Sequence, residues 1–159
     1  MASVYTDLAT AQLAGRTSLG DAPNLKQYGG TVRHLDVVKS SYTAATADPL
    51  YLVRLPKGAR LLADLCSVDY GDPGDALTGK IGYFTAGDTP AAVDDDYFGA
   101  SLALGNAAGR KGFSEASTKG DAFLTPITFS TDVWIVVTWT TATVAVSHTQ
   151  TWHIAYSLD

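Results

Sequence analysis

Hydrophobic and polar positions alternate along much of this chain with a period of two, the mark of β-strands that bury one face. Between Tyr51 and Cys66 it reads YLVRLPKGARLLADLC. Tyr51, Val53 and Leu55 fall on one face of a first strand, and Ala59, Leu61, Ala63 and Leu65 on one face of a second. Pro56-Lys57-Gly58 divides them, because Pro56 has no amide to donate and Gly58 can take a positive φ. The pattern therefore predicts that pairing stops here and the chain changes direction.

Further strands follow from the same reading. Thr31 to Val38 alternates and is rich in β-branched residues, and a Ser/Thr/Ala/Asp loop, 40–49, separates it from Tyr51. Beyond Cys66, DYGDPGD is a run of turn formers, and Ala76 to Thr85 makes the next strand. Asp94-Asp95-Asp96 before Tyr97-Phe98 reads as a charged loop with an aromatic anchor. Residues 99–121, rich in Gly, Ala and Ser, read as a long connection carrying Arg110-Lys111. Ala122 to Phe129, Val133 to Trp139, Ala142 to Ser147 and Thr151 to Leu158 complete the set. In Val133 to Trp139, Trp134 and Val136 point one way and Ile135, Val137 and Trp139 the other, so this strand belongs at a centre. In the last strand Trp152, Ile154, Tyr156 and Leu158 share a face.

About eight strands without a dependable long helix predict an all-β fold, an antiparallel jelly-roll-like β-sandwich. Residues 1–29 stand apart, because Gly15, Gly20, Pro23 and Gly29-Gly30 interrupt any regular element. They read as an extended N-terminal arm, with a short helix near Asp7 to Leu13, ahead of a sandwich domain over 30–159.

Composition narrows the function. With 159 residues, 46% of them hydrophobic, the chain can bury one proper core. The net charge is −5, and Glu115 is the one glutamate among sixteen acidic residues, which disfavours long exposed helices. The basic residues are scattered singly apart from Arg110-Lys111, so no stripe for nucleic acid is expected. Cys66 is the single cysteine, which excludes an intrachain disulfide and fits folding in a reducing compartment; it reads as a small buried hydrophobe. MASVYTDLATAQ has neither the basic region nor the apolar run of a signal peptide, and no stretch approaches a membrane span of roughly 18 apolar residues. A soluble protein made and assembled inside a cell, with no membrane partner, is the expectation.

Candidate chemistry is sparse. His34, His148 and His153 form no helical metal motif, and His148 and His153 are expected on either side of a turn in a hairpin with no third ligand. Asp69, Asp72 and Asp75 lack the alternating acids and final Glu of a calcium loop and read as a solvated turn. There is no nucleophile elbow, phosphate loop or glycosidase acid pair, so neither enzyme activity nor a cofactor or metal is expected. The aromatics Trp134, Trp139, Trp152, Tyr51, Tyr83, Tyr97 and Tyr156 suit a sugar-stacking platform, but most sit at core-parity positions.

Taken in order, GGTVRHLDVV, a Thr/Ala-rich loop, YLVRLPKGARLL, KIGYFTAGD, DDDYF and VWIVVTW with a closing strand resemble the head-decoration, or cement, proteins of tailed bacteriophages. The resemblance runs from about Gly29 to the C-terminus, is most specific at Leu55 to Ala59, and lapses over 99–121. It implies a homotrimer on the outer surface of an icosahedral head that bridges neighbouring major capsid proteins, made in the host cytoplasm. Linked copies would make each later contact intramolecular. Candidate capsid contacts are Val4, Tyr5, Leu8, Leu13, Arg16, Leu25 and Tyr28 in the arm, the arm adding a strand to an exposed edge, and Arg110 and Lys111 meeting an acidic surface. Candidate trimer contacts are Trp134 and Val136 on one side, or Val137 and Trp139 on the other. The competing reading is a virion-displayed β-sandwich that binds a receptor or carbohydrate.

Overall fold

The computed structural model describes residues 4–5, 32–43, 45–116, 127–141 and 147–158. Ten strands lie among them: β1 (Val4–Tyr5), β2 (Val32–Tyr42), β3 (Pro49–Leu55), β4 (Ala59–Leu61), β5 (Ser67–Tyr70), β6 (Leu77–Thr85), β7 (Ala92–Leu104), β8 (Gly109–Gly112), β9 (Val133–Thr141) and β10 (His148–Leu158). One sheet has the order β1-β3-β9-β6-β7 and the other β2-β10-β5-β8, with β4 also paired to β10. Pairing is antiparallel throughout except for β1, which runs parallel to β3 with Val4 opposite Leu50 and Tyr5 opposite Tyr51. The all-β sandwich expected from the alternation is the observed fold.

The two most apolar strands organise the two sheets. β9 lies between β3 and β6, and its Ile135, Val137 and Trp139 enter the core while Trp134 and Val136 face outward, as the parity predicts. β10 lies between β2 and β5, and sends Trp152, Ile154 and Tyr156 inward against β2's Leu35 and Val37. Leu50, Leu52, Leu55, Leu77, Ile81, Phe98, Leu102 and Phe113 fill the remaining space, all essentially inaccessible to water. Each such side chain contributes about 1.5–3 kcal/mol on burial.

The Tyr51 to Cys66 motif departs from strict alternation at two points. Strand β3 skips one residue between Tyr51 and Val53 in its register with β9, so Leu52 is a bulge. Tyr51 consequently faces outward with Trp134 and Val136, while Val53 and Leu55 enter the core; the three do not share a face. After β4 a 3-10 turn, Ala63–Leu65, replaces the expected strand and leaves Leu65 exposed. The corner itself is where the sequence puts it. Gly58 has φ 85°, and Pro56-Lys57-Gly58 carries the chain from β3 in one sheet to β4 in the other. Asp132 braces it, accepting from Arg54 Nη2 at 2.8 Å and from the Lys57 amide at 2.9 Å. A Gly58→Ala protein is expected to lose about 1–2 kcal/mol, the strain of a Cβ in the left-handed region, measurable as a lower urea midpoint at unchanged m-value.

Three loop expectations are corrected. Strand β2 runs on to Tyr42, so the 40–49 loop is shorter than the composition suggests. Asp94-Asp95-Asp96 does not form a loop: it lies within β7, because pairing with β6 outweighs the poor strand propensity of Asp. Nor is 99–121 one long connection, since β7 continues to Leu104, β8 pairs with β5, and a 3-10 turn spans Phe113–Glu115. Of the expected strand from Ala122 to Phe129, only 127–129 are described, and they belong to no strand. The candidate helix near Asp7 to Leu13 and most of the strand from Ala142 to Ser147 lie outside the described residues.

Candidate functional site

The expected contact residues fall into three groups. Val4 and Tyr5 form β1 at the edge of the chain's own first sheet; Leu8, Leu13, Arg16, Leu25 and Tyr28 lie outside the described residues. On β9, Val137 and Trp139 belong to the inter-sheet core, and Trp134 and Val136 pack with Tyr51, Phe84 and Ala86 on the outer face. Tyr51 meets both Trp134 and Phe84 edge to face. All four β9 candidates are at most 2% exposed, so in this fold they present almost no area to a second copy. Arg110 and Lys111 lie on β8 instead of a loop. Arg110 is engaged by Asp69 on both carboxylate oxygens, and Lys111 sits 3.8 Å from Glu115.

The sugar-stacking reading loses its platform among the described residues. Trp134, Trp139, Trp152, Tyr51, Tyr97 and Tyr156 are all buried, and Tyr83 is half-buried against Tyr97, Phe98 and Phe129. Cys66 is likewise inside. It donates to the Leu62 carbonyl at 3.3 Å, and burial pushes its thiol up to about 12, far from a reactive thiolate.

The polar side chains that do gather lie on the outer face of the second sheet, in a row across four strands. Asp36 on β2 stands opposite His153 on β10, and Asp69 on β5 stands opposite Arg110 on β8. His153 Nδ1 is 2.7 Å from Asp36 Oδ1, and its Nε2 is 2.9 Å from Asp69 Oδ2. Arg110 donates from Nε to Asp69 Oδ1 and from Nη2 to Oδ2 at 2.7 Å. Those bonds, followed by the His153 bond, hold the Asp69 carboxyl down to about 2. His34, two residues before Asp36 on the same face, stacks its ring on His153 at 5.9 Å and places Nδ1 3.5 Å from Asp36 Oδ1. Asp36, Asp69, His34 and Arg110 are exposed and His153 is half-buried, so these pairs add little to folding. Their consequence is positional: the Asp69–Arg110 pair holds the His153 ring.

The histidine expectation is thus corrected. His148 and His153 share one strand instead of flanking a turn, and five positions apart they face opposite sides. His148 points inward, where Gln150 bonds its Nε2 at 2.9 Å and accepts from Trp152 Nε1 at 3.1 Å. His153 joins His34 and Asp36, the three bringing ligand-type atoms within 4.8 Å of one another. Nothing in the spacing of residues 34, 36 and 153 shows this. The β2–β10 register does.

The other acidic groups are accounted for locally. Lys80 Nζ reaches Asp95 at 3.1 Å and Asp96 at 3.8 Å, and burial with the Asp94 bond raises the Asp96 carboxyl. Asp72 accepts the Gly74 amide at 2.8 Å, the turn expected of DYGDPGD, whereas Asp69 belongs to β5.

No protein-family model matches the chain, and no curated protein does. Solved structures do. A chain of the capsid of Ralstonia phage GP4 is 20% identical with a TM-score of 0.66, covering 99% of both chains. A chain of the cyanophage Pam1 capsid is 16% identical (TM-score 0.47, 90% of this chain and 98% of that one). One from the acid-stable capsid of Helicobacter pylori bacteriophage KHP30 is 14% identical (TM-score 0.44, 81% and 89%). The first of these shows that the chain has, from end to end, the fold of a chain found in a phage capsid.

Proposed function

We propose that this protein is a structural component of a tailed-phage particle that decorates the outer surface of the head. It acts as a homotrimer bridging neighbouring major capsid proteins. The observation that carries this reading is the end-to-end likeness to a chain of the GP4 capsid, supported by the motif order from GGTVRHLDVV to the closing strand. The physical layout suits the role. A sandwich whose large aromatics are packed inside is a rigid block, and short irregular segments remain for gripping a neighbour. Symmetry repeats each contact three times on a lattice axis, so individual contacts can be weak.

The geometry changes where contacts are sought. With Trp134, Val136, Val137 and Trp139 enclosed in their own chain, the trimer contact in this proposal falls to exposed residues. Arg110 is already paired, so Lys111 is the freer of the two basic residues toward an acidic capsid surface. The arm residues Leu8, Leu13, Arg16, Leu25 and Tyr28 remain the proposed grip.

Heads assembled without the protein are expected to rupture at a lower temperature than complete heads, and adding back the purified protein is expected to restore the difference. Equal rupture temperatures with and without it would overturn the proposal. Replacing Leu8, Leu13, Leu25 and Tyr28 with serine, which leaves β1 in place, is expected to abolish the restoration while the circular dichroism of the sandwich stays unchanged.

A further inference from the structure

The geometry points to a binding site for a divalent transition-metal ion of the zinc and cobalt class on the outer face of the second sheet, ligated by His34, Asp36 and His153. Two imidazoles and a carboxylate are a donor set that such ions prefer, and three protein ligands leave a position for water. The backbone supplies the arrangement. His34 and Asp36 are two apart on β2 and so share a face, and Asp36 is directly opposite His153 on β10. Asp36 Oδ1 is 3.5 Å from His34 Nδ1 and 2.7 Å from His153 Nδ1. Ligand atoms around a tetrahedral ion with bonds of 2.0–2.1 Å stand about 3.3 Å apart, so small side-chain rotations bring all three onto one ion.

A second, independent observation concerns the far side of the His153 ring. Its Nε2 lies 2.9 Å from Asp69 Oδ2, and Asp69 is held in turn by Nε and Nη2 of Arg110. Arg110 Nη2 lies 2.7 Å from Asp69 Oδ2 and 3.3 Å from His153 Nε2, so the guanidinium, the carboxylate and the imidazole form one packed group. With its Nε2 against Asp69, the His153 ring presents Nδ1 to Asp36 Oδ1, on the side where His34 stacks. A carboxylate behind a ligating histidine is the arrangement that fixes tautomer and ring orientation at metal centres.

Such an ion would tie the edge strand β2 to the central strand β10 through side chains as well as through the backbone ladder. This inference stands apart from the capsid proposal, since it rests on the isolated chain.

The test is a titration of the full-length chain, stripped with chelator, using Co²⁺ alone and Zn²⁺ alone. One equivalent of Co²⁺ is expected to give visible ligand-field absorption that Zn²⁺ displaces, and Zn²⁺ is expected to raise the thermal midpoint. His34→Ala and Asp36→Asn, at exposed positions that leave the core intact, are each expected to weaken binding at least tenfold. Asp69→Asn is expected to weaken it by roughly 10–100-fold without removing a ligand. Absence of saturable Co²⁺ binding by the wild-type chain overturns the inference, as does binding unchanged in both His34→Ala and Asp36→Asn. In either case the Asp36–His153 contact is held by a proton alone.

Discussion

Trp139→Ala is expected to cost about 3–5 kcal/mol of folding stability, the range for truncating a large buried aromatic side chain. Trp139 is inaccessible to water near the C-terminal end of β9, in the core between the two sheets. Its indole N–H donates to the Tyr42 hydroxyl on β2 at 2.6 Å, a polar link that joins the two sheets inside the core. Burial raises the Tyr42 phenol above its ordinary range, against the opposing effect of that bond, so Tyr42 stays neutral at any working pH. Truncation therefore removes packing and leaves a buried hydroxyl without its donor. Trp139→Phe separates the two effects: most of the ring remains, and the expected loss falls to about 1–3 kcal/mol for the orphaned hydroxyl. Urea unfolding followed by circular dichroism measures both. A Trp139→Ala midpoint within error of wild type would show that the inter-sheet core does not depend on this side chain.

Gly82→Ala is expected to destabilise the protein by about 3 kcal/mol or more, at the upper end of overpacking effects, although it adds a single methyl group. A Cβ on Gly82 would stand 2.1 Å from the Asp94 carbonyl oxygen and 2.4 Å from the Asp95 carbonyl carbon. Both are backbone atoms of β7, so no rotamer change makes room; the strand itself must move. The register between β6 and β7 shifts at this point, between Ile81 and Tyr83, and on either side of it, between Gly79 and Ile81 and between Tyr83 and Phe84. Gly87→Ala is the control, because nothing lies within 4 Å of the new methyl, and its effect is expected within about 0.5 kcal/mol of zero. Equal midpoints for the two alanine variants would refute the close approach of β6 and β7.

Strands whose side chains carry the alternation were legible, and those whose partners carry them were not. Val133 to Trp139 is apolar on both faces, and that pattern has one physical solution, a central strand; β9 is central. Leu52 shows the opposite case. YLVRL reads as alternation interrupted by Leu52, and at that residue a bulge against β9 displaces Tyr51 to the far face, a register shift decided by the neighbouring strand. Asp94 to Asp96 looks like a loop because Asp is a poor strand former, yet Lys80 on β6 supplies the counter-charge and the ladder supplies the backbone partners. GRKG, as β8, is a strand only because β5 offers it an edge.

The candidate site divides in the same way. Cys66 was readable as an inert buried thiol from its apolar surroundings alone. The row Asp36, His153, Asp69 and Arg110 was not, because it draws one residue from each of four strands far apart in sequence, and only the pairing registers align them. The alternation from Thr31 to Val38 puts His34 and Asp36 on one face. Their partner is more than a hundred positions away, beyond the reach of any spacing rule.

The centres of both sheets come last in the chain. β9 must arrive before β3 and β6 have a shared neighbour, and β10 before β2, β4 and β5 do. As the chain leaves the ribosome, the β6–β7 hairpin and the β5–β8 pair can close early, while β2 waits for β10 and β3 has the short β1 on one edge and waits for β9 on the other. Most contacts in such a topology join distant residues, which makes folding slow. A nascent chain cut short before Val133 would hold two half-sheets with nothing to insert between them. Its open edges are then available to any other strand, including those of a second unfinished copy.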